Sequence, residues 1–262
     1  MNARDELVTI LTPNGIRTTT RPIALEAPVA FEINGIGYAV MMATPADLTD
    51  FATGFLLTER LADTPADLLE IAPFETEAGW IIRVTLSKRC ADRIADRVRH
   101  RSSETACGLC GIASLEQLRR PIAPAPPPPA IDRAAIFAAL ANLRAHQPLN
   151  AATGAVHAAA WAAADGHIVS AREDVGRHNA LDKLIGALAA IDHPPGFLLV
   201  TSRLSFEMVD KALVARAGLL VGISAPTALA TDHARDHGLT LIALARPDAM
   251  LLLNDPHAAF AD

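Results

Sequence analysis

The sequence predicts a two-part α/β protein, with a smaller, mainly-β α+β domain at the N-terminus and a larger three-layer α/β sandwich after it. Residues 5–42 are apolar runs broken by Asn-Gly turns, a pattern typical of hairpins. Residues 131–262 instead alternate helical and strand patterns, which indicates a largely parallel sheet with helices on both faces. A proline-rich tract lies between the two regions.

The composition favours a globular protein whose core is built from small and aliphatic side chains. Of its 262 residues, 51% are hydrophobic and only 4% aromatic. The net charge is −6, and charges of both signs are mixed along the chain, which argues against nucleic acid or an anionic membrane as partner. No signal peptide or bilayer-spanning apolar run is recognisable. We therefore expect a cytoplasmic protein whose three cysteines are free thiols.

The N-terminal region is predicted to contain two hairpins. The first turns at Pro13-Asn14-Gly15 and the second at Asn34-Gly35. Asn-Gly between two β-branched, apolar runs is the strongest short-range signal for a hairpin. The four predicted strands cover residues 7–11, 16–20, 29–33 and 37–42.

A helix is predicted after the second hairpin, with Thr44 as its N-cap and Pro45 at the first helical position. Apolar residues recur at spacings of three and four over positions 48–56, so one face of this helix is expected to pack on a sheet. A further strand is predicted at 80–86 and a short arginine-rich helix at 91–101.

Two cysteines lie close together in the stretch TACGLCG, residues 105–111. Cys107 and Cys110 are each followed by glycine, which has no Cβ and lets the backbone bend sharply beside a ligand. A thiolate is a nucleophile and a metal ligand, and neighbouring thiols can relay sulfur or form a disulfide. The pattern favours thiol chemistry on an exposed loop.

Three other interpretations of the cysteine pair stay open on spacing alone. A structural zinc site usually has four nitrogen or sulfur ligands, so Cys90 and a histidine would have to complete it at unusual spacing. A thioredoxin-like pair belongs where a strand passes into a helix, whereas this stretch precedes a short helical run at 114–118 and the prolines. Burial of both cysteines in a core agrees poorly with the flanking glycines.

The tract from Pro121 to Pro129 cannot join a helix or the interior of a sheet and favours an extended conformation. We therefore predict a domain at 1–120, a linker at 121–130 and a second domain at 131–262. The cysteine stretch would lie near the seam of the two domains, where ligand sites tend to occur.

The second region is predicted to contain four helices and six strands. Asp132 is the expected N-cap of the first helix, and an Asp165-Gly166 turn joins the first two strands. Sites in such sheets form at the carboxyl ends of strands. The helices are predicted at 131–146, 177–191, 205–217 and 226–237, and the strands at 157–163, 167–171, 196–201, 219–223, 239–245 and 250–253.

One strand end is followed by the polar segment 172–183. On a helix, His178 and Asp182 share one face, and Asn179 and Lys183 share another. A histidine, an amide and an ammonium beside a helix N-terminus form an anion site. The alternative for most of the segment is a solvated helix start that Asp174 caps.

Two further strand ends carry hydroxyl groups. Thr201-Ser202-Arg203 precedes a helix, so its hydroxyls, backbone N–H groups and guanidinium can hold a phosphate. The alternative is capping by Ser202 or Ser205. Residues 224–227 have the same arrangement without a basic residue, and capping explains them equally well.

His157 is an isolated histidine near an apolar strand, which is more often packed than catalytic. A zinc deaminase would need a glutamate two residues later and a following Cys-x-x-Cys pair. Position 159 is alanine, and no cysteine follows Cys110. Zinc deamination is therefore excluded.

At these residues the chain resembles one family, the formate dehydrogenase accessory sulfurtransferases (FdhD). The front half is similar in layout, and the resemblance covers nearly the whole chain. The larger domain of that family resembles a cytidine-deaminase fold, which agrees with the predicted α/β sandwich. The motifs that carry the resemblance are CGLCG at 107–111, TGAVHAAAW at 153–161, REDVGRHNALDKLIG at 172–186, SFEMVDKA at 205–212 and ISAP at 223–226.

The resemblance implies a sulfur carrier, that is, a sulfurtransferase that takes persulfide sulfur from a cysteine desulfurase. It would pass this sulfur to the molybdenum (or tungsten) bis-guanine-dinucleotide cofactor and so activate formate dehydrogenase. Mo-bis(molybdopterin guanine dinucleotide) would be a bound substrate, with no permanent cofactor and no protein-bound metal. By analogy Cys107 carries the persulfide and Cys110 assists it. The resemblance also implies a homodimer.

The resemblance places further cofactor contacts after the last long strand, at Leu244-Ala245-Arg246-Pro247-Asp248-Ala249. Here the sequence departs from the family, in which an aromatic residue is common at the position of Leu244 and a glycine-rich, basic turn at 247–249. The runner-up function is a non-catalytic chaperone of cofactor and dehydrogenase with redox-sensing cysteines. The residues predicted to hold the dinucleotide phosphates are His178, Asn179, Lys183, Ser202, Arg203 and Arg246.

Overall fold

The computed structural model describes residues 2–94 and 121–260, called here the N-terminal half and the C-terminal half. These residues form a mixed α/β fold with three sheets. Cys107, Cys110, the helical run at 114–118 and the second part of the helix predicted at 91–101 lie outside the described residues.

Both predicted hairpins are confirmed. The first consists of β1 (Ala3–Thr12) and β2 (Gly15–Ala24), which pair antiparallel along their whole length. The second consists of β3 (Ala27–Ile33) and β4 (Ile36–Ala43). Its turn residues Asn34 and Gly35 have φ of 49° and 77°, the left-handed geometry that a tight two-residue hairpin requires.

β3 and β4 form a four-stranded sheet with β5 (Leu68–Thr76) and β6 (Gly79–Leu86), in the order β4-β3-β6-β5. The predicted strand at 80–86 is β6, whereas β5 was not predicted. β5 contains Pro73, which weakens the strand pattern in the sequence. Proline is tolerated there because β5 is an edge strand.

Helix α1 (Leu48–Thr58) packs its apolar face on this sheet, as its spacing predicts. Phe31 of the sheet contacts Phe51 and Phe55 of the helix, with ring centroids 5.3 and 4.7 Å apart. The predicted cap is wrong, because Asp47 occupies the N-cap position and Thr44 bonds elsewhere.

A short 3-10 turn (Pro65–Asp67) precedes β5, and residues 88–94 after β6 are helical. This helical segment is anchored by two arginine–carboxylate pairs, Arg89 with Asp67 and Arg93 with Asp63. Its inner side places Cys90 in the core of the N-terminal half, where the side chain is fully buried.

The C-terminal half begins with residues 121–132, which form no helix or strand. Asp132 caps the first helix as predicted, accepting from the backbone N–H of Ala134 at 3.0 Å. The short helix α3 was not predicted. The helices are α2 (Arg133–Leu143), α3 (Pro148–Thr153), α4 (Arg177–Ala189), α5 (Phe206–Val214) and α6 (Ala228–Asp236).

Six strands form one sheet of order β12-β11-β10-β9-β7-β8. The expectation of a largely parallel sheet is wrong, because only β9, β10 and β11 run parallel to their neighbours in this group. These three are joined by helical crossovers, whereas the tight turn after β7 and the short connection before β12 enforce antiparallel pairing. The strands are β7 (His157–Ala163), β8 (Ile168–Asp174), β9 (Gly196–Val200), β10 (Leu219–Gly222), β11 (Thr240–Ala243) and β12 (Leu251–Asn254).

Helices cover both faces of this sheet. Along β9, Leu198 and Val200 pack with residues of α4, α5 and α6, whereas Phe197 and Leu199 pack with α2. All four side chains are buried, so β9 is a central strand with two apolar faces. None of the helices in residues 2–94 and 121–260 has both the length and the apolar character needed to cross a bilayer.

The two halves contact one another mainly where α1 packs against α4. α4 is buried along nearly its whole length, because it lies between the six-stranded sheet and α1. The division into domains at 1–120 and 131–262 stays a prediction.

Candidate functional site

Four strands of the large sheet end at the same edge. Asp174, the last residue of β8, lies opposite His157 at the start of β7. Ala159, two residues further along β7, lies opposite Val200 at the end of β9. Val200 is in register with Gly222 at the end of β10, and β11 runs parallel to β10. We call the segments that leave these strands, 175–178, 201–205, 223–227 and 244–249, the carboxyl edge.

Backbone hydrogen bonds join neighbouring segments of the carboxyl edge. Leu204 N–H donates to Ala225 O at 3.1 Å, and Leu244 N–H donates to Ser224 O at 3.2 Å. Leu244 adopts φ of 48°, so the chain turns sharply after β11. The segments after β9, β10 and β11 are therefore connected to one another along this edge.

Two arginines of the carboxyl edge are exposed, Arg203 after β9 and Arg246 after β11. Arg246 opens a small turn, in which its N–H donates to Ala249 O at 2.8 Å, and Pro247 and Asp248 are exposed within it. Ala245 is instead buried in the core below the sheet. Of the six residues at 244–249, the last four thus face solvent.

The serines after β9 do not act as helix caps. Ser202 is buried, and its hydroxyl donates to Arg203 O at 3.1 Å. Ser205 occupies the N-cap position of α5 without a capping bond from its side chain. By contrast, Thr227 does cap α6, accepting from Ala230 N at 3.2 Å, so capping accounts for the segment after β10.

The start of α4 brings Arg177 and His178 to the carboxyl edge, beside His157 at the start of β7. Burial lowers the pKa of His178, although Glu207 Oε2, 3.0 Å from its Nε2, opposes this shift. Burial, and then the charge of Arg177, lower the pKa of His157. The Nε of Arg177 is buried and has no hydrogen-bond partner among the described residues. Because an arginine side chain stays charged at neutral pH, Arg177 keeps this corner positive whatever the charge of the two histidines.

Asn179 and Lys183 share a helical face as predicted, but that face points towards the N-terminal half. Lys183 is fully buried, with its Nζ 2.6 Å from Asp174 Oδ2 and 2.8 Å from Thr44 O. Asn179 Nδ2 donates to Met42 O at 2.9 Å and to Asp174 Oδ1 at 3.0 Å. Both side chains are thus occupied by internal contacts, and Lys183 presents no surface to a ligand.

Asp182 enters a second buried network that the sequence pattern did not indicate. Its Oδ1 accepts from Thr58 Oγ1 at 2.7 Å and from Lys211 Nζ at 2.8 Å. Burial raises the pKa of Asp182, and the charge of Lys211 opposes this. Thr58 and Lys211 belong to α1 and α5, two helices far from α4 in the sequence, so no local spacing predicts these contacts.

Cys90, the third thiol that the zinc interpretation requires, lies beside Asp63 and Asp67. The carboxylate of Asp67 already accepts from Arg89 and from Ser87, and the hydrogen bond from Arg89 holds the pKa of Asp67 well below its usual range. No histidine belongs to this cluster in the part of the chain that the structure describes. An ion-paired structural role accounts for these carboxylates.

Comparison with known proteins identifies the family of this chain. The sequence model of the FdhD/NarQ family matches residues 24–259. The chain belongs to this family. Its relatives include "Sulfur carrier protein FdhD" of Variovorax paradoxus, 45% identical over 89% of this chain and 85% of the relative. The protein of the same name from Xanthomonas campestris is 48% identical over 89% of this chain and 84% of the relative.

A solved structure shares the fold of this FdhD/NarQ family member. It is described as a putative formate dehydrogenase accessory protein from Desulfotalea psychrophila, and it superimposes with a TM-score of 0.78. The comparison covers 98% of both chains at 22% sequence identity. The family-matched residues contain both Cys107 and Cys110 and all four segments of the carboxyl edge.

Proposed function

We propose that this protein is a sulfur carrier in the maturation of formate dehydrogenase. The observation that carries the proposal is the Cys-Gly-Leu-Cys-Gly stretch at 107–111, inside the span that the FdhD/NarQ family model matches. Relatives of which the chain covers more than four fifths bear the name sulfur carrier protein. In this role Cys107 accepts the sulfur, and Cys110 is a second thiol on the same stretch.

The loading step is a thiol exchange. The Cys107 thiolate attacks the outer sulfur of a persulfide on a cysteine desulfurase, forming a new S–S bond as the donor's S–S bond breaks. The desulfurase cysteine leaves as a thiolate, so the transfer involves no net oxidation or reduction. The sulfane sulfur is then available at the end of a persulfide for the next acceptor.

The acceptor that we propose is Mo-bis(molybdopterin guanine dinucleotide), bound as a substrate before it enters the formate dehydrogenase catalytic subunit. The carboxyl edge suits its phosphates, because Arg203 and Arg246 are exposed and Arg177 has an unpartnered Nε. The N-terminus of α5 adds backbone N–H groups. The molybdenum would supply the site at which the transferred sulfur becomes a terminal ligand.

In this proposal the phosphate contacts come from those predicted residues that lie at the carboxyl edge. Ser202, Arg203, His178 and the turn at 246–249 lie at the carboxyl edge, whereas Asn179 and Lys183 are engaged beneath it. Helices on both faces of the six-stranded sheet support the cytidine-deaminase-like sandwich. The homodimer and the cytoplasmic location stay predictions.

The test is intact mass spectrometry after incubation with a cysteine desulfurase and free cysteine. We expect wild type to gain about 32 Da, one sulfur atom on a thiol, and Cys107→Ala to gain nothing. Cys110→Ala should still load. A wild-type protein that stays unmodified beside an active desulfurase would contradict the carrier function and favour the chaperone, as would full activation of the dehydrogenase by Cys107→Ser.

A further inference from the structure

The β8–α4 turn, residues 174–177, is held by one buried carboxylate. Asp174 is fully buried, forms an ion pair with Lys183 and accepts three hydrogen bonds. Two come from its own turn and helix, from Gly176 N at 2.7 Å and from Asn179 Nδ2 at 3.0 Å. The third comes from the backbone N–H of Thr44 at 3.0 Å, and the Nζ of Lys183 lies 2.6 Å from the carboxylate. This carboxylate therefore links the turn to the N-terminal half.

Thr44 makes the reciprocal contacts. Its hydroxyl oxygen accepts from the backbone N–H of Val175 at 3.1 Å, and its carbonyl oxygen accepts from Lys183 at 2.8 Å. Thr44 is only 1% exposed, so water does not replace these partners. The backbone N–H of Thr44 thus binds Asp174, its hydroxyl binds Val175, and its carbonyl binds Lys183, the counter-ion of Asp174.

The turn has no room to adjust. A Cβ atom on Gly176 would lie 2.7 Å from Asn179 Nδ2 and 3.3 Å from Asp174 Oδ1. Gly176 therefore allows the backbone to lie directly against the side chains that hold it. The next two residues along the chain are Arg177 and His178, the basic corner of the carboxyl edge.

We propose that Thr44 and Asp174 are positioning residues that place Arg177 and His178 for binding of an anionic nucleotide. This inference rests on the proposed function, because the carboxyl edge is the nucleotide site there. Arg177 directly follows Gly176, so the turn fixes the backbone from which its side chain extends, and its Nε has no hydrogen bond among the described residues. Affinity for the nucleotide then depends on a residue from the N-terminal half, although the nucleotide lies on the C-terminal half.

The chain offers a matched control for a general effect on the contact between the halves. Arg172 of β8 donates to Asp50 of α1 at 2.8 Å, so this ion pair also joins the two halves. Its contacts do not include residues 174–178. Asp50→Asn therefore weakens the contact between the halves without releasing the turn.

The experiment is isothermal titration of the full-length protein with GDP, comparing wild type, Thr44→Val, Thr44→Ser, Asp174→Asn and Asp50→Asn. We expect Kd to rise about tenfold in Thr44→Val, which leaves Val175 N–H without its acceptor, while the stoichiometry stays that of wild type. Asp174→Asn should change Kd in the same direction. Thr44→Ser keeps the hydroxyl and should restore binding, and Asp50→Asn should bind as wild type does. Persulfide loading, read by mass, should be equal in all five proteins.

Each other outcome overturns a defined part of the argument. Equal Kd values in wild type, Thr44→Val and Asp174→Asn would overturn the positioning inference and leave the proposed function intact. The same holds if Kd is unchanged and only the stoichiometry falls, because that signals loss of folded protein. A wild-type protein that does not bind GDP would overturn the proposed nucleotide site, and this inference with it.

Discussion

Gly54 of α1 and Gly186 of α4 face one another where the two halves of the protein meet. A Cβ atom on Gly54 would lie 1.7 Å from the carbonyl oxygen of Asp182, and one on Gly186 would lie 1.9 Å from that of Asp50. Both obstacles are backbone atoms of the opposite helix. The absence of a side chain at these two positions therefore allows α1 and α4 to pack with their backbones in contact.

We expect Gly54→Ala and Gly186→Ala each to destabilise the protein by about 3 kcal/mol, because the helices must separate to admit a methyl group. The measurement is the free energy of unfolding from urea titration. Gly37→Ala is the control, since a Cβ there meets nothing within 4 Å. If all three variants have the same free energy of unfolding, α1 and α4 do not pack with their backbones in contact.

The buried pair of Asp182 and Lys211 gives a prediction with a pH dependence. Replacing Lys211 with Met leaves the Asp182 carboxylate buried without its counter-ion, which should cost about 3 kcal/mol at pH 7. Burial already raises the pKa of Asp182 above its ordinary value of 3.8, and Lys211→Met removes the charge that opposes this rise. The folded state of the variant therefore holds this proton up to a higher pH than the wild type does.

The sign follows from proton linkage. A group whose pKa is higher in the folded state contributes stability that is full below its unfolded pKa and is lost as pH rises through the folded pKa. The gap in unfolding free energy between wild type and Lys211→Met should therefore widen from pH 4 to pH 7. The double variant Asp182→Asn/Lys211→Met lacks the carboxylate. The difference between its unfolding free energy and that of wild type should therefore not change with pH. If the gap in unfolding free energy between wild type and Lys211→Met stays constant with pH, the raised pKa of Asp182 in the folded variant is contradicted.

Local sequence signals predicted the elements that local geometry decides. Asn34-Gly35 indicated a hairpin because only a few residue types adopt left-handed φ easily, and the turn is where it was expected. Asp132 was recognised as a cap because its partner lies two residues away. In both cases the interaction that forms the element lies within a few residues in the sequence.

Contacts between the halves explain where sequence interpretation failed. Thr44 has the residue type and position of an N-cap, but its hydroxyl accepts from Val175, 131 residues away. Lys183 resembled a ligand for phosphate, and instead it is the counter-ion of Asp174. A spacing pattern shows which residues share a helical face, but not what that face contacts. The carboxyl ends of β9, β10 and β11 were expected to lie side by side at one edge of the sheet, and they do.

The exposed arginines of the carboxyl edge should each contribute to nucleotide affinity. We expect Arg203→Ala and Arg246→Ala to raise the Kd for GDP about fivefold to tenfold, because each removes a charged donor to phosphate. The effect should shrink at high salt, since exposed charges are screened. Arg235→Ala is the control, because Arg235 is exposed on α6 and paired with Asp232. If Arg235→Ala weakens binding equally, general charge attraction explains the effect.

Protonation of His178 should strengthen binding of an anion at acidic pH. Burial lowers the pKa of His178 from its ordinary value of 6.5. The ring is therefore neutral at pH 7 and takes up its proton only below pH 6.5. The terminal phosphate of GDP titrates with a pKa of about 6, so wild type must be compared with His178→Gln at each pH. We expect the ratio of their affinities to rise by about threefold between pH 7.5 and pH 5.5, as for a partly exposed charge pair. A ratio that does not change with pH would show that His178 does not contact the anion.

Cys90 should take no part in sulfur loading. It is the one cysteine that the described residues contain, and it is fully buried in the core of the N-terminal half. A persulfide donor needs access to an exposed thiolate, and a buried thiol is unreactive. Cys90→Ala should therefore gain one sulfur under the same conditions as wild type, at a cost of about 1 kcal/mol in unfolding free energy for the small cavity.

Mass spectrometry of Cys90→Ala beside Cys107→Ala/Cys110→Ala separates the three thiols. The double variant retains only Cys90 and should gain no sulfur. A gain of about 32 Da on the double variant would mean that the N-terminal core opens far enough for a second protein to reach Cys90. Loss of loading in Cys90→Ala at unchanged stability would mean that the relay passes through this thiol. Either result would reject the assignment of sulfur transfer to the Cys-Gly-Leu-Cys-Gly stretch alone.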